Sequence, residues 1–357
     1  MGMGAPVQSL ELGGSDGGAF EEYLDDCRQR VLDEIRAILP DTRRPGGRLY
    51  ELMLDYPLRG GKALRPALAI ATCRALGGHL EAVLRTAAVL ELYHNAFLIH
   101  DDVEDGSELR RSEQTLHRLH GVPIAVNVGD GMLAASMAPL LENIELVGLG
   151  RALRILQVVA RMARESAEGQ MIELDWVRSA DWTPIDRAYL RMIYKKTAWY
   201  TFLAPVCAGA IAAGAGAATE RTLVRFATPL GIAFQIQDDV LNLSAGPERY
   251  GKELLGDLWE GKHTLILIEA VRSASDAERT RAREALAKPR AAKTAEDVAF
   301  LSGLIERARA VDYALAVARR HSERAARSFA RLARELAPSP HRDFLAGLVA
   351  YVVERDR

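Results

Sequence analysis

Two groups of acidic residues carry the chemistry that this sequence could do. In His94-Asn95-Ala96-Phe97-Leu98-Ile99-His100-Asp101-Asp102-Val103-Glu104-Asp105, the carboxylates of Asp101, Asp102 and Asp105 fall at i, i+1 and i+4. On an α-helix that spacing is expected to put all three on one face. They close an apolar stretch that begins near Leu80, and the nearest cations in the chain are Arg110 and Arg111. Crowded carboxylates repel one another, so the patch calls for bound cations. Carboxylate oxygens with room for water suit Mg²⁺, which takes one or two carboxylates together with substrate phosphates. The pattern returns in Phe234-Gln235-Ile236-Gln237-Asp238-Asp239-Val240-Leu241-Asn242, behind an apolar run from Leu223. One such triplet is simply explained as a solvated helix end. Two inside apolar helices are not, because burying unpaired carboxylates costs several kcal/mol each. They should face a polar cavity or a metal.

Basic residues complete the set. Gly60-Gly61-Lys62-Ala63-Leu64-Arg65-Pro66 places Lys62 and Arg65 where a loop runs into a helix. Lys195-Lys196-Thr197 interrupts an apolar helix, and Lys252 and Lys262 flank Asp257 after the second acidic cluster. Singly, each reads as a solvated surface charge, and the Gly-Gly-Lys lacks the spacing of a Walker phosphate loop. Together they describe a site with metals on carboxylates and cations for two diphosphates. A lone His94 would read as a satisfied core histidine, but it precedes Asp101 by seven residues on the same helical stripe.

The elements that must position these residues read as helices nearly throughout from Phe20. Ala, Leu, Arg and Glu dominate, and Pro and Gly fall at plausible helix ends such as Gly77-Gly78 and Gly121-Val122-Pro123. Residues 1–17 are rich in Gly and Ser and read as a disordered tail ahead of a single domain over 18–357. Asp276 to Asp297 reads as a solvated helix pair with a loop. At 49% hydrophobic residues the 357-residue chain can build one large all-α core, and a single helical bundle is the economical reading. A net charge of −2 gives no general attraction to nucleic acid. Cys27, Cys73 and Cys207 form neither a metal pattern nor a disulfide framework. The Ala- and Gly-rich run Phe202 to Ala218 reads as a packed core helix rather than a membrane span. With no basic start or apolar signal core at the N-terminus, a cytoplasmic location is expected.

At these residues the sequence resembles the trans-isoprenyl diphosphate synthase (polyprenyl synthetase) family, from about Tyr50 through Leu267. Asp101-Asp102-Val103-Glu104-Asp105, followed by Arg110-Arg111, is similar to the family's first aspartate-rich motif, and Phe234-Gln235 with Asp238 to Asn242 is similar to the second. Gly61-Lys62, Arg65-Pro66, Gly169-Gln170, Lys196-Thr197 and Gly251-Lys252 follow in the family's order. The resemblance implies a single-domain bundle of antiparallel helices around a deep central cavity, and a homodimer that joins isopentenyl diphosphate head to tail to an allylic diphosphate: dimethylallyl, geranyl or farnesyl. It implies Mg²⁺, three ions per site, on Asp101, Asp102, Asp105, Asp238 and Asp239. Arg110, Lys196 and Lys262 would bind the allylic diphosphate, with Lys252 as a further substrate contact. Thr197 and Gln235 would stabilise the allylic cation. Lys62, Arg65, His94 and Arg111 would bind isopentenyl diphosphate, and the released diphosphate would take the final proton. Two departures stand out: Ser112 where Gly is usual after the Arg pair, and Glu173 where Asp commonly follows Gly-Gln.

Asp101 to Arg111, His117, Gly121-Val122-Pro123 and Asp257 to Lys262 look like the geranylgeranyl diphosphate synthases of fungi and animals. Phe97 and Ala96 lie about one helical turn below the metals, and Tyr93 about two. One aromatic beside a small residue implies a floor opened by one isoprene unit, hence geranylgeranyl diphosphate. Farnesyl diphosphate is the alternative if Phe97 closes the cavity alone. A class I terpene cyclase would need a Glu eight residues after Asp238, where Gly246 stands, and would have no use for Lys62 and Arg65. A non-catalytic partner subunit would be expected to have lost one aspartate motif.

Overall fold

The computed structural model describes residues 17–179, 182, 185–244 and 255–354. Lys252 and nearly all of the tail over 1–17 lie outside them, although Gly17 already opens the first helix. The architecture is all-α. In chain order the helices are α1 (Gly17–Ile38), α2 (Gly47–Leu58), α3 (Leu64–Ala75), α4 (Glu81–Asp105), α5 (Leu116–His120), α6 (Val122–Ala135), α7 (Met137–Val147), α8 (Leu149–Ser179) and α9 (Asp186–Ile193). A π-helix (Tyr194–Leu203) continues into α10 (Ala204–Ala212). Then come α11 (Ala217–Ser244), α12 (Gly256–Glu260), α13 (Leu265–Ser273), α14 (Asp276–Ala287), α15 (Ala295–Arg307), α16 (Ala310–Leu332) and α17 (Pro340–Glu354).

The long helix α4 is the centre of the bundle. Every residue from Thr86 to Ala96 is buried, polar ones included, as expected of a helix covered on all sides. Asn95 satisfies one such polar group by donating to the Glu91 carbonyl at 2.8 Å. The helices α3, α6, α7 and α1 surround it, while α11 lies along α16 and against the π-helix. The run around α10 is the packed core helix that its Ala and Gly content predicts. A Cβ at Gly209 would lie 2.4 Å from the Ala69 carbonyl, so α3 and α10 approach with nothing larger than hydrogen between them.

A short hairpin interrupts the helices: β1 (Leu109–Arg110) pairs antiparallel with β2 (Glu113–Gln114). Both central residues of its turn, Arg111 and Ser112, have positive φ, 55° and 64°. Type I′ hairpin turns demand that, and Gly is the residue they favour. At Ser112 the chain accepts the left-handed conformation with a side chain in place, at a cost of about 1–2 kcal/mol. The turn matters because Arg110 ends its first strand and Arg111 is its first central residue, which sends the two side chains to different partners.

The 276–297 segment holds one helix, α14, a 3₁₀ turn over Arg290–Ala292 and only the first residues of α15, rather than a solvated helix pair, and Ala282, Ala285, Leu286 and Lys293 in it are buried. Capping boxes at Ser275/Glu278 and Thr294/Asp297 start α14 and α15. Among the described residues, Val122–Val147 is the one stretch long and apolar enough to cross a membrane by length and composition, a different stretch from Phe202 to Ala218. It consists of two helices, α6 and α7, which meet at Ser136.

Candidate active site

The helices α4 and α11 both end at one large cavity, of about 690 Å³, and deliver their acidic clusters to it. Asp101 and Glu104 from α4 line it, together with Glu173 and Gln170 from α8, Asp238 and Asp239 from α11, and Asp257 and Lys262 from the α12 turn. Since α4 terminates at Asp105, its carboxylates also stand at the negative end of the helix dipole. Both effects call for cations.

The three carboxylates of the first cluster do not share one face. Consecutive helical positions are about 100° apart, and Asp102 takes the side away from the cavity. It is fully buried, accepts from the Tyr56 hydroxyl at 2.7 Å and from Arg110 Nε at 3.0 Å, and also pairs with Arg110 Nη2. Arg110, itself buried and among the cavity-lining residues, thus spends its fork on Asp102, and its Nη2 lies 3.7 Å from Asp101. Asp105 sits beside the site, where the Lys262 ammonium reaches it at 2.6 Å. Burial pushes the Asp105 carboxyl up against the pull of Lys262. Burial works against the Lys262 ammonium too, and Asp105 and Glu260 outweigh it, so its pKa rises.

The lysine pair is split by the π-helix. Lys195 turns outward to Glu165, at 2.6 Å, and to Glu168. Lys196 turns into the cavity, 3.3 Å from Asp101 and paired with Glu173. Burial disfavours the Lys196 ammonium, but Glu173 and Asp101 outweigh burial and raise its pKa. The longer Glu at 173 reaches this ammonium, so the departure from Asp keeps its charge in the site. Two glycines let the wide π-turn fit. A Cβ on Gly169 would lie 2.3 Å from the Lys196 backbone nitrogen, and one on Gly231 2.7 Å from the Ala198 Cβ. π-Turns of this kind concentrate at functional sites.

On the wall opposite α4, a chain of hydrogen bonds orients Asp239. Thr197 donates to Gln235 at 2.7 Å, Gln235 donates to Asp239 at 2.7 Å, and the buried Tyr189 hydroxyl donates to Asp239 at 2.6 Å. Burial raises Asp239 to about 7, with these hydrogen bonds opposing it. Asn242 has a different task from a third carboxylate. Its Oδ1 accepts from the Asp257 N–H at 3.2 Å and its carbonyl accepts from the Leu255 N–H at 3.1 Å, which ties the α12 turn to α11.

A second basic group lines the neighbouring wall. Arg65 is 9% exposed, donates to Thr201 Oγ1 at 2.9 Å and lies 4.4 Å above the Tyr200 ring. His94 stacks on the other side of the same region, 5.9 Å from Tyr200. Arg111 packs on Gly61, where a Cβ would come within 2.7 Å of its guanidinium, and donates to the Tyr56 carbonyl. Lys62 is exposed, outside the cavity lining, with its ammonium 4.9 Å from the Tyr351 ring. Away from the charges the cavity is walled by Tyr93, Phe97, Leu133, Ala163, Met192 and Phe234. Phe97 meets Tyr93 edge-on at 5.9 Å and Tyr200 at 5.7 Å. Ala96 is fully buried and not part of this wall.

Sequence reasoning missed Tyr189, Tyr200, Glu104 and Gln170 as site residues. Gln170 donates to Glu104 at 2.6 Å and to Asp101 at 3.3 Å. Its place beside Gly169 was the available signal, whereas nothing local marks Tyr189. The acidic clusters offer carboxylate oxygens, which suit a hard divalent cation. No three acidic, histidine or cysteine side chains among the described residues converge on one point. Each ion would therefore take one or two carboxylates and fill its shell with water and phosphate oxygens, the habit of Mg²⁺.

Comparison with known proteins agrees with this geometry. A family model described as polyprenyl synthetase matches residues 48–302. The short chain isoprenyl diphosphate synthase of Methanothermobacter thermautotrophicus is 32% identical over 94% of this chain and 98% of its own. The octaprenyl diphosphate synthase of Escherichia coli is 33% identical over 84% and 87%. The crystal structure of geranylgeranyl pyrophosphate synthetase from Pyrococcus horikoshii superposes with a TM-score of 0.82 at 29% identity, covering 95% of this chain and 99% of that one.

Proposed function

The chain belongs to the polyprenyl synthetase family of chain-elongating prenyl transferases, and we propose that it makes geranylgeranyl diphosphate from isopentenyl diphosphate and a shorter allylic diphosphate. One observation carries the reading: a single cavity has carboxylates and ammonium groups at one end and an aromatic-walled apolar interior beyond them. An allylic diphosphate has the same division into a charged head and an apolar tail.

Lys196 and Lys262 hold the allylic diphosphate and favour charge building on it as the carbon–oxygen bond breaks, with Arg110, its fork on Asp102, adding positive charge from the cavity wall. Asp101, Asp105, Asp238 and Asp239 are the residues to hold Mg²⁺, which when bound neutralises the departing diphosphate. Thr197 and Gln235 line the cavity where the allylic cation would form, and the Thr197 hydroxyl, donating to Gln235 Oε1, holds both oxygen dipoles in place to stabilise it. Arg65, Arg111 and His94 orient isopentenyl diphosphate from the neighbouring wall, with Lys62 at its rim. The tail extends past Phe97 and Tyr93.

Incubation of the pure protein with labelled isopentenyl diphosphate and farnesyl diphosphate, with and without Mg²⁺, tests the reading. A Mg²⁺-dependent prenyl diphosphate of twenty carbons is expected. A hydrocarbon or alcohol product would mark a cyclase, and no product with any allylic primer would sink the assignment. Arg65→Ala is expected to weaken isopentenyl diphosphate use by about 1.5–3 kcal/mol, the worth of a charge-assisted contact. Lys62→Ala should act in the same direction and less, because Lys62 is exposed. Equal losses for the allylic substrate would mean that this wall binds the other diphosphate.

The active unit in this reading is a homodimer. α6, α7 and the start of α8 expose Val122, Met137, Leu141, Ile144, Leu149 and Leu153 on one side of the bundle, with Leu141 54% and Leu149 58% exposed. Exposed apolar residues on three successive helices that pack against one another fit a second copy of the chain. Sedimentation velocity reads the outcome, and a monomer at micromolar concentration would contradict it.

A further inference from the structure

Lys293 is buried to 5% exposure while its neighbours Ala291, Ala292, Thr294 and Ala295 all face solvent. A lysine that could reach water is instead turned inward, and burial lowers its ammonium to about 8. The nearby carboxylate does not explain this, because Asp297 is engaged by Lys288 at 2.7 Å and by the Thr294 N–H at 2.8 Å. What the ammonium reaches is the carbonyl of Leu258, at 2.8 Å. Leu258 lies in the five-residue helix α12, whose last carbonyls have no partner within the helix. Gly261 ends that helix at φ 75°, and a Cβ there would come 2.8 Å from the Leu286 carbonyl and 3.4 Å from Lys293 Nζ. The turn rests directly on this ammonium.

The contacts continue inward. Arg290 lies 3.3 Å from Glu260, Glu260 lies 2.9 Å from Lys262, and Lys262 reaches Asp105 at 2.6 Å. On the cavity side, Asn242 ties the same turn to α11 through the Asp257 N–H. We propose that Lys293 is a positioning residue for the reaction: from outside the cavity it holds the turn that aims Asp257 and Lys262 at the diphosphate. The inference rests on reading the cavity as a diphosphate site.

Lys293→Met in the full-length chain tests it, with Lys288→Met as the control from the same loop. Three measurements are made: hydrogen exchange across residues 256–262, calorimetric binding of inorganic diphosphate in Mg²⁺, and KM for each substrate. Lys293→Met should speed exchange in 256–262 with the rest of the chain unchanged. It should weaken diphosphate binding and raise KM for the allylic substrate by roughly tenfold, the upper end of what one lost hydrogen bond is worth. KM for isopentenyl diphosphate and every value for Lys288→Met should stay at wild type. Wild-type exchange and diphosphate affinity in Lys293→Met would overturn the inference. So would faster exchange throughout the bundle with both KM values raised alike, since that marks a general packing residue. If the wild-type protein condenses nothing, the functional reading fails, and exchange and diphosphate binding still decide Lys293.

Discussion

Asp101→Ala and Asp238→Ala are each expected to cut condensation by about 10³-fold or more, which is about 4 kcal/mol of transition-state stabilisation, while far-ultraviolet circular dichroism stays unchanged. Both side chains line the cavity, one at the end of α4 and one near the end of α11. Removing either takes a carboxylate from the polar wall of the cavity rather than a side chain from the apolar core. Lys196 still has Glu173 when Asp101 is gone. Asp102→Ala makes the useful contrast. It takes the close partner from the buried Arg110, leaving only Asp101 at 3.7 Å, and should cost about 3–5 kcal/mol of stability, as breaking a buried ion pair does. A lower melting temperature should therefore separate Asp102 from Asp101 and Asp238. Near-wild-type turnover by both the Asp101 and the Asp238 variants would rule out the two-cluster site.

Phe97→Ala should lengthen the product by one or more isoprene units, read by chromatography of the dephosphorylated prenyl alcohols. Its ring closes the apolar wall between Tyr93 below and Tyr200 beside it. Taking it away opens a path along α4, one helical turn of about 5.4 Å at a time. Tyr93 is the next ring on that path. Ala96→Phe has a different expected outcome from the one that spacing along the helix suggests. Ala96 is fully buried outside the cavity wall, so a new ring there overpacks the core at about 1–3 kcal/mol before it can shorten any product. Loss of melting temperature without a shorter product would agree with that placement. Unchanged chain length in Phe97→Ala would put the floor elsewhere, at Tyr93 or Leu133. A wild-type product of fifteen carbons would mean that Phe97 closes the cavity alone.

The helical fold was legible because its signal is local. Apolar residues at helical spacing, Ala and Leu content, and Gly or Pro at the breaks reflect backbone sterics and burial that each segment experiences alone. The acidic clusters were legible for a related reason. Unpaired carboxylates inside apolar helices have few physical outcomes, and a cation-filled cavity is the cheapest. Less legible was which carboxylate of a cluster faces the cavity. Asp101 and Asp102 are neighbours in sequence and differ only in what lies beside them, and Tyr56 and Arg110 come to Asp102 from α2 and from the hairpin.

By itself, then, the sequence determined the all-α class, the two helix ends that carry acid, the loops that carry Lys62 and Lys262, and the helix start that carries Arg65, since each depends on composition and on spacing within one segment. Only the tertiary structure decided how those ends combine. The split of Lys195 from Lys196 needs a π-turn that Gly169 and Gly231, on two other helices, leave room for. The orientation of Asp239 depends on Tyr189, fifty residues away, and the α12 turn depends on Asn242 before it and Lys293 after it. These are contacts between side chains brought together by packing. A residue's own neighbours in sequence hold no record of which distant group will meet its one remaining donor or acceptor, because burial makes that pairing compulsory only after the helices have assembled.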